Sequence, residues 1–371
     1  MVELVQERGY PVEEHFIDTA DGYILGAFRI PAGLPGTPGA GSGSKPVAFL
    51  QHGLLDSSYT WVNNFKNESL AFILADAGYD VWMGNSRGNF FSQRHKTLSP
   101  QSDAFWRFSY DEMAKYDLPA HINFVLNATG QDTLSYVGHS QGTIQAFLGL
   151  LDEDLASKVN FFGALAPIAY LNHQKSVVIS LLADLDAAGW LALFGVRDFL
   201  PDATILQKLD PGLCKLLPSG CNVVLELLCG PSDNLNSSRI DVYVSQTPAG
   251  TSIQNMQHWA QATKTDEVKM FDYGCGLLSC ENEKHYGQKT PPVYDLSKLT
   301  VPTGLFYGDD DYLGNPTDVQ HLADVLPKDT VVYVDQVKNF AHLDFTWGED
   351  AHTYVYAAVV NMLARYNPVT V

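Results

Sequence analysis

The sequence predicts an α/β fold with a mostly parallel central sheet, helices on both of its faces and a largely helical insertion. Short apolar runs alternate with helical patterns from the N-terminus to about residue 170. Helical apolar clusters mixed with cysteines then replace this alternation, which resumes at residue 303. We therefore expect a core formed by residues 1–170 and 291–371, with residues 171–290 as a helical cap and lid insertion.

The predicted strands are short, and most are strongly apolar. Residues 15–19 and 23–30 flank Ala20-Asp21-Gly22, which is typical of an antiparallel hairpin with Asp-Gly at its turn. Residues 31–46 are dense in glycine and proline, and we expect an exposed, mobile connection there. The remaining runs are typical of buried, mostly parallel strands at residues 47–50, 80–83, 134–137, 161–165, 303–307 and 331–334, with helices predicted near residues 318–325 and 350–364.

Composition limits the possible functions. A chain of 371 residues, 46% of them hydrophobic, can bury a full-sized core. Its 42 acidic and 23 basic residues give a formal charge of −19, which repels the phosphate backbone of nucleic acids. We expect no nucleic-acid partner, and the acidic excess indicates either a solvated surface or adaptation to an acidic compartment. No apolar run approaches the roughly 18 residues of a membrane span, so no transmembrane segment is predicted.

The cysteines all lie in one part of the chain, inside the expected insertion. Disulfides are typical of secreted proteins, and five cysteines permit many pairings. We expect Cys221 to pair with Cys229 and Cys275 to pair with Cys280, leaving Cys214 free.

Three N-glycosylation sequons begin at Asn67, Asn127 and Asn236. Together with the cysteines they favour a secreted or lysosomal/endosomal glycoprotein. The chain opens MVELVQERGYPVEEH, which lacks the charged start and apolar core of a secretion signal. The alternatives are a signal that was removed and a cytosolic protein.

The strongest local signal is GHSQG, from Gly138 to Gly142, between an apolar run and a helical pattern. A serine hydroxyl is a weak nucleophile and must be held exposed beside a base. A sharp strand-to-helix turn does this, and flanking glycines let the backbone pass closely. The five letters are common by chance, but their setting predicts Ser140 as the nucleophile of an α/β-hydrolase.

A second element, Gln51-His52-Gly53-Leu54-Leu55, follows the predicted strand at residues 47–50. Two backbone amides must face the oxyanion that forms when the serine attacks. In this fold, one comes from the residue after the serine, here Gln141, and the other from the loop after an earlier strand, which we assign to Leu54. The alternative is a tight turn, and we expect His52 to be structural.

The base and the acid follow the serine in the order acid, then histidine. His342 is the only downstream histidine in a loop after a predicted strand, where open α/β sheets hold their chemistry. The strand at residues 303–307 ends in three aspartates, Asp309, Asp310 and Asp311, and position alone does not choose among them. No ligand spacing accompanies this cluster, so we expect no metal.

An ordered series of motifs spans nearly the whole chain and resembles that of the acid lipase family, which includes gastric and lysosomal acid lipases. The resemblance implies Ser140 as nucleophile, Leu54 and Gln141 as oxyanion residues, and His342 as base. The family's acid stands five residues before a proline, which selects Asp311. The motifs are GYPVEEHFIDTADGYIL, LQHGLLDSS, GYDVWMGNSRGN, FWRFSYDEMAKYDLPAHINFVL, YVGHSQGT, NMQHWAQ and FAHLDFTWG.

This resemblance implies no cofactor, a mobile lid over the site, and hydrolysis of triacylglycerols or cholesteryl esters at a lipid interface, often at acidic pH. The chain departs from the family in its Gly/Pro-rich loop and in the Cys275–Cys280 segment. Alternatives are a carboxylesterase for smaller esters, a peptidase or thioesterase, and an inactive homologue that binds lipid. We expect a monomer or weak oligomer.

Apolar clusters in the expected cap exceed what a small helical insertion needs for packing alone. Trp190, Phe194 and Phe199 are therefore candidate substrate-binding residues that line an acyl tunnel or face the lipid. The alternative is that all of them pack on the core.

Overall fold

A mixed sheet forms the centre of the protein in a computed structural model that describes residues 1–41, 43–185, 197–200, 225–276 and 279–369. Each run predicted as a strand coincides with a strand of the structure, although the first prediction extends one residue too far, to Thr19, and most strands are a residue or more longer than predicted. The strands are β1 (Glu13–Asp18), β2 (Tyr23–Ile30), β3 (Val47–Gln51), β4 (Asp80–Gly84), β5 (Arg94–His95), β6 (Leu134–His139), β7 (Val159–Leu165), β8 (Asp198–Phe199), β9 (Thr251–Ser252), β10 (Thr303–Gly308) and β11 (Val331–Val337).

The strand order of the main sheet is β1-β2-β4-β3-β6-β7-β10-β11, with β5 paired to β2. All pairs from β4 to β11 are parallel, while β2 runs antiparallel to β1 and β4. The predicted hairpin of β1 and β2 is confirmed, and Gly22 in its turn has a φ of 102°, which favours glycine. The predicted class, an α/β fold with a mostly parallel sheet, is confirmed.

Both faces of the central strands are covered by apolar side chains. Along β3, Val47 and Phe49 point into one buried cluster, and Ala48 and Leu50 point into the other. Period-two alternation with both faces buried explains why this strand is apolar throughout. The α-helices whose bounds lie within the described residues are α1 (Val2–Glu7), α2 (Leu70–Ala77), α3 (Tyr110–Glu112), α4 (Leu118–Thr129), α5 (Gln141–Gly149), α6 (Glu153–Ala156), α7 (Val177–Ala183), α8 (Ile240–Val244), α9 (Ile253–Ala262), α10 (Glu281–Tyr286), α11 (Pro316–Val325), α12 (Asp344–Trp347) and α13 (Ala357–Tyr366).

The Gly/Pro-rich segment is not fully exposed, so that part of the prediction is wrong. Gly39 is buried, and a Cβ there would lie 1.8 Å from the carbonyl oxygen of Ala75 at the end of α2. The Lys45 ammonium donates to the carbonyl oxygens of Pro31, at 2.9 Å, and Gly39, at 2.6 Å. Glycine makes the segment look like a mobile linker, but here it permits close contact with a helix.

Between β7 and β10 the chain departs from the alternating pattern. Helices α7, α8, α9 and α10 lie there, and β8 and β9 form a separate antiparallel pair. Among the described residues of this segment, none belongs to a strand of the main sheet.

Arg87 holds the N-terminal hairpin to the core through buried charges. Its guanidinium lies 2.7 Å from a carboxylate oxygen of Asp21 and 2.7 Å from one of Asp117, and its Cζ lies 4.0 Å from the ring centre of Tyr23. Arg87 and Asp117 are each 1% exposed. Burial disfavours both charges, and each is stabilised mainly by its partner.

We predict that Arg87→Met destabilises the protein by about 3–5 kcal/mol, because it leaves the Asp117 carboxylate buried without its cation. Lys96→Met is the matched control, since Lys96 pairs with Asp18 at 3.0 Å on the surface, where such pairs are worth about 0–1 kcal/mol. Thermal unfolding of both variants tests this, and equal losses would contradict it.

Candidate active site

Ser140 stands at a sharp turn between β6 and α5. Its backbone has a φ of 53° and a ψ of −119°, a region that residues other than glycine rarely adopt. An added Cβ at Gly138 would lie 2.7 Å from the carbonyl oxygen of Gly142, and one at Gly142 would lie 2.5 Å from that of Gln51. The two glycines therefore let three backbone segments meet beside Ser140, as in a strand–turn–helix nucleophile elbow.

The loop after β3 lies directly against this turn. A Cβ at Gly53 would lie 2.9 Å from the Cβ of Ser140 and 3.4 Å from its Oγ. The backbone N–H groups of Leu54 and Gln141 donate no hydrogen bond to any described residue. Gln141 is buried at the first position of α5 and Leu54 is partly buried, so two unpaired amides on segments that meet at the serine form a candidate anion-binding position.

His52 holds this loop in place through hydrogen bonds at both nitrogens of its ring. Its Nδ1 donates to the carbonyl oxygen of Gly53 at 2.7 Å, and its Nε2 accepts from the backbone N–H of Ser86 at 3.0 Å. These partners require the neutral imidazole, which has one donor and one acceptor. Burial lowers the pKa of His52 to about 4, so this tautomer persists in moderately acidic solution.

Asp311 and His342 meet at the carboxyl ends of β10 and β11. The Nδ1 atom of His342 lies 2.8 Å from Oδ2 and 3.0 Å from Oδ1 of Asp311. Asp311 is 1% exposed, and its Oδ1 also accepts from the backbone amides of Leu313 and Gly314, both at 2.8 Å. Asp309 is exposed and accepts instead from the amide of Asn339, so of the three aspartates Asp311 is the one that contacts His342.

The residue before the serine connects the elbow to the loop of His342. The Nε2 of His139 donates to the carbonyl oxygen of His342 at 2.9 Å, and the two rings lie 5.0 Å apart. Burial lowers the pKa of His139 to about 3, which keeps its ring neutral. The backbone N–H of His342 donates to the carbonyl oxygen of Cys229 at 3.1 Å.

Asp344, which the sequence reasoning missed, holds the same loop. Its Oδ2 accepts from the amide of Ala341 at 2.7 Å, and its Oδ1 accepts from the hydroxyl of Ser232 at 2.6 Å. Burial raises its pKa to about 7. Its position two residues after His342 in the FAHLDF motif is the one sequence signal that could have identified it.

The second ring nitrogen of His342 is left without a partner. His342 Nε2 is buried and has no hydrogen-bond partner in the described part of the chain, which includes Ser140. A buried imidazole nitrogen that is free to accept, on a ring oriented by a carboxylate, is available as a proton acceptor. Hydrogen bonds between such groups are often long in the absence of substrate.

The predicted disulfide between Cys221 and Cys229 is wrong, because Cys229 is a free, buried thiol. Cys229 lies beside the site, because its carbonyl oxygen accepts hydrogen bonds from the backbone amides of Tyr312 and His342. Burial raises the pKa of this thiol well above its usual value. The predicted pair of Cys275 and Cys280 is joined in the structure, and Cys214 and Cys221 lie outside the described residues.

Of the candidate substrate-binding residues, Trp190 and Phe194 lie outside the described residues. Phe199 is 8% exposed, belongs to the larger apolar core and pairs through its backbone with Thr251. It therefore does not form part of an exposed apolar face, and for Phe199 only the tunnel and packing interpretations remain.

Asp56, two residues after Leu54, is a further buried carboxylate. Its Oδ1 accepts from the amide of Ser57 at 2.8 Å and from the hydroxyl of Thr247 at 3.1 Å. Its Oδ2 has no hydrogen-bond partner among the described residues. Burial raises the pKa of Asp56 from 3.8 to about 6.

We predict that Asp56→Asn raises the free energy of unfolding relative to the wild type, and that this gain is larger at pH 8 than at pH 4. A raised folded-state pKa means that the folded protein binds the proton more tightly than the unfolded chain does. The cost of the buried charge is therefore absent below about pH 4 and complete above about pH 6, on the order of 3 kcal/mol. Asparagine does not ionise and keeps the Oδ1 acceptor.

The test compares thermal midpoints of Asp56→Asn and the wild type across this pH range, with the exposed Asp329→Asn as control. The difference between Asp56→Asn and the wild type should become more favourable to the variant as the pH rises. A difference that does not change with pH would contradict the prediction.

The described residues contain no group of three His, Cys, Asp or Glu side chains placed to hold a metal ion. Their helices include none long and apolar enough to cross a membrane.

Comparison with known proteins shows which family the chain resembles. The family model described as "alpha/beta hydrolase fold" matches residues 46–348, and the one described as "Partial alpha/beta-hydrolase lipase region" matches residues 1–65. A lysosomal acid lipase/cholesteryl ester hydrolase from Macaca fascicularis is 45% identical over 370 residues, which cover 98% of this chain and 90% of that protein. A gastric triacylglycerol lipase from Mus musculus is also 45% identical, covering 98% of this chain and 91% of the relative.

Solved structures of other proteins are similar to this chain in fold. An epoxide hydrolase from Vigna radiata has a TM-score of 0.52 and 16% identity, covering 96% of this chain and 99% of that chain. Likeness at this identity shows the fold alone, since one fold supports many chemistries. The family models and the two lipases together show that the chain belongs to the acid lipase family of the α/β-hydrolases.

Proposed function

We propose that the protein is a serine ester hydrolase of the acid lipase type, which cleaves fatty-acyl esters through an acyl-enzyme on Ser140. The observation that supports this most strongly is the arrangement of Asp311, His342 and an elbow serine beside two unpaired backbone amides. A protein that only bound lipid would not need all of these groups together.

In the proposed mechanism, His342 Nε2 takes the proton of Ser140 as the serine oxygen attacks the ester carbonyl. Asp311 holds the ring in the tautomer with the proton on Nδ1 and stabilises the imidazolium that forms. The amides of Leu54 and Gln141 stabilise the oxyanion. The imidazolium then protonates the departing alcohol, and water, activated by His342, releases the fatty acid and regenerates the serine.

The supporting histidines are suited to an acidic compartment. His52 and His139 have pKa values of about 4 and about 3, so both stay neutral near pH 5 and keep the hydrogen bonds that hold the site. Together with the names of the relatives, this supports a secreted or lysosomal protein, and we propose that it acts as a monomer or weak oligomer.

We further propose that residues 171–290 form a cap whose apolar residues contact the acyl chain or the lipid surface. On this proposal, Trp190→Ser combined with Phe194→Ser reduces hydrolysis of emulsified long-chain esters much more than that of soluble short-chain esters. Initial rates on both substrates test this. Equal losses in a folded variant would mean that the two side chains support the core.

The proposed function is tested by rates on chromogenic esters of short and long acyl chains, on triacylglycerol and on cholesteryl ester, with and without emulsion, from pH 4 to pH 8. We expect turnover of emulsified long-chain esters with an optimum on the acidic side. Turnover of short soluble esters alone would favour a carboxylesterase, and the absence of turnover would favour an inactive lipid-binding homologue.

A further inference from the structure

The NMQHWAQ motif lies on α9, far from Ser140 in the sequence, and its role is not explained by the proposed mechanism. Two of its side chains, Asn255 and Trp259, lie one helical turn apart and face the same acceptor. The Nδ2 of Asn255 donates to Oε1 of Gln141 at 2.7 Å, and the Nε1 of Trp259 donates to the same oxygen at 2.8 Å. Asn255 and Trp259 are fully buried, and Gln141 is 2% exposed.

These two bonds fix the residue that follows the serine. An amide oxygen has two lone pairs, and both are used here. Ser140 has a strained backbone conformation, which persists only when the surroundings determine it strongly. Because the peptide between Ser140 and Gln141 carries the proposed oxyanion N–H, holding the Gln141 side chain restrains the direction of that N–H.

Helix α9 is itself anchored to the core beside the site. The Ser252 hydroxyl caps its first turn by accepting from the amide of Asn255 at 2.9 Å, and the same hydroxyl contacts the carbonyl oxygen of Phe108. Further along the helix, His258 Nδ1 lies 3.0 Å from the hydroxyl of Ser109. The helix is therefore a fixed support, which a positioning contact requires.

We propose that Asn255 and Trp259 are positioning residues for the oxyanion hole, which act through Gln141 to aim its backbone N–H at the transition state. This inference rests on the proposed function, because it requires Gln141 to stabilise an oxyanion. It assigns a task to the NMQHWAQ motif and links the proposed cap to the chemistry of ester cleavage.

The central test uses Asn255→Leu, which keeps the approximate size and removes the donor, and Trp259→Phe, which keeps an aromatic ring and removes the N–H. Removing an oxyanion donor outright costs about 10²–10³ in kcat, so misaiming one should cost roughly 10-fold to 100-fold. We expect this loss in kcat on a soluble short-chain ester, with KM within about twofold of the wild type, as for an interaction made in the transition state.

A second readout separates positioning from packing. The affinity of a trifluoromethyl ketone, whose tetrahedral adduct places an oxyanion in the hole, should fall in proportion to kcat/KM. The affinity of the product fatty acid should not. In a Gln141→Met background, which lacks the acceptor, Asn255→Leu should have little further effect on kcat, because contacting residues are not additive.

The matched control is Gln257→Ala, on the opposite face of the same helix, which should retain kcat within about twofold. Unchanged kcat in Trp259→Phe, or equal losses with and without the Gln141 acceptor, would overturn the proposal. If Asn255→Leu does not fold, Trp259→Phe decides the question. Failure of the proposed function is seen separately, as ester turnover that survives Ser140→Ala.

Discussion

Ser140→Ala should lower ester turnover by roughly 10⁴ to 10⁶ while the protein stays folded, because the lost hydroxyl is the proposed bond-forming atom. The remaining rate would come from substrate binding and the oxyanion amides alone. The backbone at Ser140 is strained whichever side chain it carries, so alanine adds no new clash.

The measurement is kcat and KM on a soluble chromogenic ester, with thermal unfolding to show that the variant is folded. Ser135→Ala is the matched control, since Ser135 is buried in β6, the strand that leads to Ser140, and its hydroxyl donates to Asn160 rather than to the site. Turnover by folded Ser140→Ala within about tenfold of the wild type would show that another group is the nucleophile.

Asp311→Asn should lower the rate by about 10⁴, because an asparagine side chain holds the ring of His342 in the wrong tautomer. The same change at the neighbouring aspartates is the control. Asp309 is exposed, and Asp310 does not contact His342, so Asp309→Asn and Asp310→Asn should keep most of the activity.

Rates of the three variants on one ester, measured from pH 5 to pH 8, make the comparison. The deficit of Asp311→Asn should exceed that of each neighbour by about a thousandfold, given the size of the triad effect. If Asp309→Asn were the damaging change, the assignment of the acid to the residue five positions before Pro316 would be wrong by two residues.

Local patterns in the sequence predicted the strands, Ser140 and His342, whereas the resemblance to the acid lipase family chose Asp311 among three adjacent aspartates. Ser140 and Asp311 follow β6 and β10, in which every residue is buried, and His342 follows the partly exposed edge strand β11, whose apolar run at residues 331–334 still indicates a strand. Candidate catalytic residues at the carboxyl ends of strands can therefore be located from local sequence patterns.

Contacts between distant segments were not predictable in the same way. Nothing in the spacing of the cysteines shows that Cys229 is buried under His342, because its environment comes from a loop more than a hundred residues later. The bonds from Asn255 to Gln141 and the burial of Gly39 against α2 depend likewise on packing between separate elements.

The central claim is that an acyl group is carried on Ser140, and covalent trapping tests it most directly. The protein is treated with an alkyl phosphonate ester that carries a long acyl-like chain, and peptides are mapped by mass spectrometry. The account predicts one modified peptide, with the phosphonate on Ser140, complete loss of esterase activity at one equivalent, and no labelling in Ser140→Ala. Stoichiometric inactivation with the label on any other residue would contradict it.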